Sequence, residues 1–409
     1  MNYFLTRWTV PFAGFLFTLM GGIAYAWGVF VVPLKEQYGW TTTEATLPFS
    51  VYLSILAFSM IPAGKLQDKY GPRRVSIVGA VLFFVAYSLA SFIDSIASAW
   101  WLVITYGVIA GVASGICYAC AIPAARKWFP DRPGLAISVS VTGFGLAALF
   151  FAPLLAIHLI PNFGIAQTFF ILGVLTSSVA IFASWLTRFP PEGWKPDNWT
   201  LEEDPSVKTT FLLHESTQKE ALKNPLILGI WFPFFLVIFG GIMCVGLISK
   251  YAQLIIGLTP AEAAIAMSVF AFFNGFGRPV AGFLGDKFGP MRTMITTYII
   301  QTIILFSFTT FAVSMLSLYI FVAFIGWSFA VTLALFPVVT TMSFGIKNLG
   351  AIYGIVFSAF GAAALLGPIV GALLFDFTDS YTSSFMLAGS LCFIGLMLVI
   401  FLKRKYKFP

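Results

Sequence analysis

Residues 64–74 read GKLQDKYGPRR, and residues 282–292 read GFLGDKFGPMR. The two segments align without a gap, matching at Gly64/Gly282, Leu66/Leu284, Asp68/Asp286, Lys69/Lys287, Gly71/Gly289, Pro72/Pro290 and Arg74/Arg292. Each is a charged stretch between two long apolar runs. Glycine lets helices approach and permits a tight turn, and proline stops a helix. An aspartate among cations is suited to bind a helix end or an arginine and so latch two bundles together on one side. Duplication of such a segment marks a chain built from two like halves, the plan of a two-bundle transporter.

The composition around these segments points the same way. The chain has 409 residues, 59% hydrophobic and 10% charged, with a mean hydropathy of +0.94. A soluble globular protein is typically about 25% charged. Too little polar surface exists here for a soluble fold, and disorder, collagen and coiled coil are excluded with it. Apolar runs fall near 8–33, 44–66, 74–94, 98–123, 133–158, 165–187, 226–250, 261–284, 292–312, 315–343, 349–375 and 381–402. Each reaches the length of a membrane-spanning helix. The fold class expected is an all-α polytopic membrane protein of twelve transmembrane helices, in two six-helix bundles related by a pseudo-two-fold axis. The expected domains are 1–187, a polar cytoplasmic linker over 188–224 (partly helical around Glu215–Leu222), and 225–409. The first run is too long for a signal-peptide core and lacks a cleavage pattern after it, so it reads as a permanent span.

Charge sets the orientation. With the N-terminus inside, 20 of the 23 Lys and Arg fall on the inner side, two (Lys35 and Lys250) fall outside, and one, Arg278, falls within a span. Basic loops stay on the cytoplasmic side, so both termini are expected there. The net charge of +7 then follows from topology and gives no ground for a nucleic-acid partner. Cys117, Cys120, Cys244 and Cys392 all lie in apolar runs without zinc-site spacing, so no metal site is expected. Neither H-E-x-x-H nor the G-x-x-x-x-G-K-[ST] phosphate loop occurs, and the two histidines, His158 and His214, lie outside the span centres. Enzyme chemistry, ATP-driven pumping and a bound cofactor are therefore not expected.

Arg278 is the one charge placed deep in a span. It stands eight residues before Asp286, roughly 12 Å from the cytoplasmic edge at about 1.5 Å per residue. A buried cation needs a partner, and no acidic residue of the sequence lies at that depth. The cargo itself can supply the anion. A guanidinium grips a carboxylate through two parallel N–H···O bonds, so an anionic substrate, most simply a carboxylate, is expected. The alternatives are that Arg278 snorkels to the cytoplasm or bonds carbonyls freed by Pro279. Asn274 lies four residues earlier on the same helical face, to orient the guanidinium, bond substrate or serve as a packing contact. With few polar groups inside, selectivity must come from shape and aromatic walls. Tyr25 and Tyr118, whose hydroxyls need partners in a membrane, stand out from the 46 Phe.

At this point the chain resembles known proteins. The twin G-x-L-x-D-K-x-G-P-x-R loop resembles the signature of the major facilitator superfamily. That resemblance implies alternating access, with Asp68, Arg73, Arg74, Asp286 and Arg292 stabilising the inside-closed state. GIAYAWGVF (22–30), GICYACAIPAARKWFPDRPGLA (115–136), GFG (143–145), ALFP (334–337) and NGFGRP (274–279) resemble the bacterial oxalate/formate exchangers and their monocarboxylate-transporter relatives. The resemblance implies that Arg278 binds a substrate carboxylate, with Asn274 beside it, inside an aromatic cage. By position the cage residues are Tyr25, Tyr118, Phe144, Phe329 and Phe357. Phe360 stands where the oxalate/formate exchanger carries a second cation, a Lys, and one cation suits a monocarboxylate better than a dicarboxylate. Animal monocarboxylate transporters carry an Asp four residues before the Arg, where this chain has Asn274, so proton symport through that acid is unavailable.

The function expected is secondary transport of short monocarboxylates of the lactate or pyruvate type, by proton symport or anion exchange. The alternative is exchange of dicarboxylates such as oxalate with formate, or carriage of another small anion. The partners implied are a small organic anion, the lipid bilayer and a coupling proton or counter-anion. A monomer in a bacterial cytoplasmic (inner) membrane is expected.

Overall fold

The computed structural model describes residues 3–191, 194–196 and 215–408. Among them the regular structure is helical, with no strand. The first half runs α1 (Tyr3–Gly21), α2 (Gly28–Tyr38), α3 (Thr42–Tyr70), α4 (Pro72–Ala90), the short α5 (Ile93–Ile96) and α6 (Ala99–Leu102), α7 (Gly111–Trp128), α8 (Pro133–Pro153) and α9 (Ile160–Leu186). The second runs α10 (Gln218–Lys223), α11 (Pro225–Leu254), α12 (Pro260–Phe288), α13 (Pro290–Phe311), α14 (Met315–Phe344), α15 (Leu349–Thr378) and α16 (Tyr381–Tyr406). Among the described residues, eleven stretches of helix are long and apolar enough to cross a membrane. One of them, Pro133–Leu186, has 54 residues and leaves helical geometry at Gly164 (φ 71°, ψ 178°). At about 1.5 Å per residue it would be more than twice the bilayer core, so it supplies two spans, and twelve result. The helical patch expected in the linker appears as α10, while residues 197–214, including His214, lie outside the described residues.

The helix ends are written locally. Thr41 with Glu44, Thr217 with Glu220, Thr259 with Glu262 and Ser314 with Ser317 form reciprocal caps at the starts of α3, α10, α12 and α14. In the duplicated segments Gly71 (φ 84°) and Gly289 (φ 91°) turn the chain in a conformation that other residues resist. Pro72 and Pro290 then open α4 and α13 at the position where a missing N–H costs nothing.

The described residues gather into two compact units: Met1–Pro130 with Val139–Asp197 and Ile346–Gly361, and Asp131–Ser138 with Asn198–Gly345 and Ala362–Pro409. In the first unit small residues bring backbones together, as membrane helices require in the absence of a hydrophobic drive. Gly107, Gly111 and Gly115 of the span ending in α7 face Val51, Tyr52 and Leu56 of α3. Gly350, Gly354 and Gly361 of α15 lie against Gly64, Met60 and Ala57 of α3. In the second unit Gly282 of α12 lies against Gly134 of α8, and Gly277 and Gly326 let α12 and α14 pack closely.

Candidate substrate-binding site

Arg278 lies on α12 and is 0% exposed. Its Nη2 and Nε donate to the Oδ1 of Asn274, at 3.1 and 3.4 Å. Asn274 is itself 1% exposed and one helical turn away. Full burial overturns the snorkelling alternative, since the guanidinium does not reach the surface. The four-residue spacing brings the amide oxygen of Asn274 onto the guanidinium. That oxygen is neutral, so the bond fixes direction without cancelling charge. The backbone around the pair is closely packed. A Cβ on Gly326 of α14 would lie 2.6 Å from the carbonyl oxygen of Phe270 and 3.3 Å from the Asn274 nitrogen. A Cβ on Gly277 would lie 2.9 Å from Ala330 and 3.2 Å from the Trp327 ring. Phe329 belongs to the same unit, its ring centroid 5.2 Å from that of Phe270. Room for it is made by Gly241 of α11, whose Cβ would meet the Phe329 ring at 2.3 Å.

The other aromatic candidates form a continuous chain within the first unit. Tyr25 meets Phe144 edge-on at 5.0 Å, Phe144 meets Tyr118 at 5.8 Å, and Tyr118 meets Phe357 at 5.2 Å. Phe357 stacks on Phe360 at 5.1 Å with 20° between the planes. The eight residues picked from sequence therefore fall into two groups, each inside one unit: Tyr25, Tyr118, Phe144, Phe357 and Phe360 in the first, Arg278, Asn274 and Phe329 in the second. Two neighbours went unremarked in the sequence. Phe270 stands four residues before Asn274 and eight before Arg278, so its face was readable from helical period. Phe49, 6.3 Å from Tyr25, had no such signal.

The duplicated aspartates do the same thing in both units. The two oxygens of Asp286 accept from the backbone N–H groups of Gly134 (2.7 Å) and Leu135 (2.9 Å), in the first turn of α8. Asp68 accepts from the N–H of Ala351 (2.9 Å), in the first turn of α15. A carboxylate at a helix start satisfies orphan donors and complements the positive end of the dipole. Arg73 instead reaches the end of α9, bonding the carbonyls of Ser184 and Trp185, with its guanidinium 4.9 Å from the Trp185 ring. Arg74 and Arg292 are exposed near the starts of α4 and α13.

A family model described as Major Facilitator Superfamily matches residues 12–259 and 241–408. The chain belongs to the Major Facilitator Superfamily. As a member of that superfamily it is an integral membrane transporter. It is 28% identical over 404 residues to the oxalate:formate antiporter of Oxalobacter formigenes, covering 97% of this chain and 91% of that one. It is 25% identical over 400 residues to monocarboxylate transporter 13 of Rattus norvegicus, covering 95% and 87%. Among solved structures, the Escherichia coli fucose:proton symporter superposes with a TM-score of 0.70 at 15% identity, covering 98% of this chain and 99% of that one, which is a likeness of fold.

Proposed function

We propose that this superfamily member carries short monocarboxylates of the lactate or pyruvate type across a bacterial cytoplasmic membrane by alternating access, with both termini inside. The observation that carries the reading is the fully buried Arg278, aimed by a neutral amide oxygen. A carboxylate offers that guanidinium two oxygens in its own plane, which an ammonium cannot match with two parallel bonds. Aromatic faces such as those of Phe270 and Phe329, in the same unit as Arg278, give a short apolar tail shape-selective surfaces and no second charge. The Asp68 and Asp286 contacts serve as the latches of one state, made and broken as the carrier cycles. Both proton symport and anion exchange fit this scheme. In symport the proton rides with the substrate or through hydroxyls, because position 274 is an amide.

A second reading, exchange of dicarboxylates, is favoured by the 28% identity to an oxalate:formate antiporter. Against it stands Phe360, which is buried and stacked on another ring and adds no second cation.

The test is uptake by purified protein in proteoliposomes, with lactate, pyruvate, formate, oxalate, nitrate and phosphate as substrates. Saturable lactate or pyruvate uptake, lost in both Arg278→Ala and Arg278→Lys while the variants still fold and insert, is expected. The lysine variant forfeits one of two charge-assisted bonds worth about 1.5–3 kcal/mol each, a loss of roughly tenfold to a hundredfold in binding at least. Transport of an inorganic anion without lactate or pyruvate would overturn the proposal. Oxalate–formate exchange without monocarboxylate uptake would install the second reading.

A further inference from the structure

Span 1 was expected as one helix over 8–33, yet its winding changes in the middle. Between α1 and α2, residues Gly22–Ala26 are wound as a 3-10 helix, and the N–H of Trp27 bonds the carbonyl of Ala24. Gly21 caps the start of that turn, so its carbonyl accepts the turn's first backbone bond and keeps a second lone pair to offer. The hydroxyl of Tyr52 on α3 donates to that same oxygen of Gly21, at 2.9 Å. At the other end of the turn the indole Nε1 of Trp27 donates to the carbonyl of Ala45, also on α3, at 2.8 Å. One helix thus grips the turn at both ends. The turn also lies directly on α8: a Cβ on Gly22 would sit 2.6 Å from the Phe144 carbonyl oxygen and 2.7 Å from its Cα.

The winding decides where Tyr25 points. A 3-10 turn advances about 120° per residue against about 100° for an α-helix, and rises about 2.0 Å against 1.5 Å. At Tyr25, the fourth residue of the turn, the difference has grown to about 80° of rotation and about 2 Å of height. Relaxed to α-helix, the turn would swing the ring away from its edge-on contact with Phe144. We propose that Tyr52 is a positioning residue: its hydroxyl holds span 1 over-wound and so aims Tyr25 at Phe144. It acts on substrate only through Tyr25. The consequence for transport rests on the carboxylate reading above, but the structural claim does not.

Two single-atom deletions separate this role from general packing. Tyr52 and Tyr87 are both fully buried, with rings 5.1 and 5.7 Å from that of Tyr106. The Tyr87 hydroxyl has no hydrogen-bond partner among the described residues. Tyr52→Phe and Tyr87→Phe are compared in the full-length protein in nanodiscs by hydrogen–deuterium exchange of amides 22–28, and in proteoliposomes by the kinetics of lactate uptake. Tyr52→Phe is expected to speed exchange of those amides about fivefold or more, and to raise KM about two- to fivefold with Vmax within about twofold. Tyr87→Phe is expected to leave both unchanged. Exchange in Tyr52→Phe within about twofold of the parent, or the same change in both variants, overturns the proposal. If the parent protein does not move lactate, the exchange measurement still decides the claim, and it is the carboxylate reading that falls.

Discussion

The glycine that opens the duplicated segment offers the sharpest test of the proposed latch. In Gly64→Ala the added Cβ would lie 2.0 Å from the carbonyl oxygen of Gly350, 2.2 Å from its carbon and 2.8 Å from the nitrogen of Ala351. All three are backbone atoms, so no rotamer change relieves the overlap. Restoring van der Waals contact requires the ends of α3 and α15 to part by about 1.2–1.4 Å. The bond from Ala351 N–H to Asp68, now 2.9 Å, then lengthens to about 4 Å, beyond hydrogen-bond reach. A hydrogen bond to a charged group contributes about 1.5–3 kcal/mol, roughly a 10- to 150-fold change in an equilibrium constant. If the contact belongs to one state of an alternating-access cycle, that cost shifts the balance of states and leaves the fold intact. The assay is hydrogen exchange at the Ala351 amide, alongside the melting temperature. Exchange faster by at least about tenfold, with a melting temperature near that of the parent, is expected. Asp68→Asn keeps the helix spacing and one acceptor oxygen, so its effect should be smaller. Protection of Ala351 in Gly64→Ala within about twofold of the parent would refute both the steric argument and the latch built on it.

Other outcomes follow from the site. Asn274→Asp places a carboxylate one turn from Arg278, so the ionised form neutralises the guanidinium and competes with substrate; uptake should fall as pH rises through the new carboxyl's pKa and recover on acidification, more steeply than in the parent, in a pH series of initial rates. Asn274→Ala removes the oxygen that aims the guanidinium, and KM for the carried acid should rise about five- to thirtyfold, the worth of about 1–2 kcal/mol, in the same assay. Phe360→Lys exchanges a stacked ring for a cation and should raise the oxalate-to-lactate uptake ratio; an unchanged ratio in a folded variant would remove Phe360 from the selectivity argument.

What was legible in the sequence is what local chemistry or a rare residue encodes. Twelve spans were readable because a bilayer demands long apolar runs, and the one departure, the 54-residue stretch 133–186, still resolves into two at Gly164. The turn at Gly71–Pro72 and its repeat at Gly289–Pro290 were readable because positive φ and a missing N–H are properties of single residues. Arg278 stood out because a charge at that depth is costly, and Asn274 followed from it by helical period. Long-range partners were a different matter. That Asp68 would hold the start of α15 and Asp286 the start of α8 needed pairings across 283 and 151–152 positions, on which local sequence is silent. The over-wound turn of span 1 fails to show for the same reason. Gly21–Gly22 announces only that close approach is allowed there, whereas the hydroxyl that bonds Gly21 is carried by Tyr52 on another helix. Phenylalanines such as Phe49 carry least of all: with 46 in the chain, one more on an apolar face distinguishes nothing until its neighbours are known. The asymmetry has a physical origin. A membrane makes polar groups expensive and apolar ones interchangeable, so sequence marks where a charge or a backbone exception must be accommodated, and packing alone decides which of many similar rings surround it.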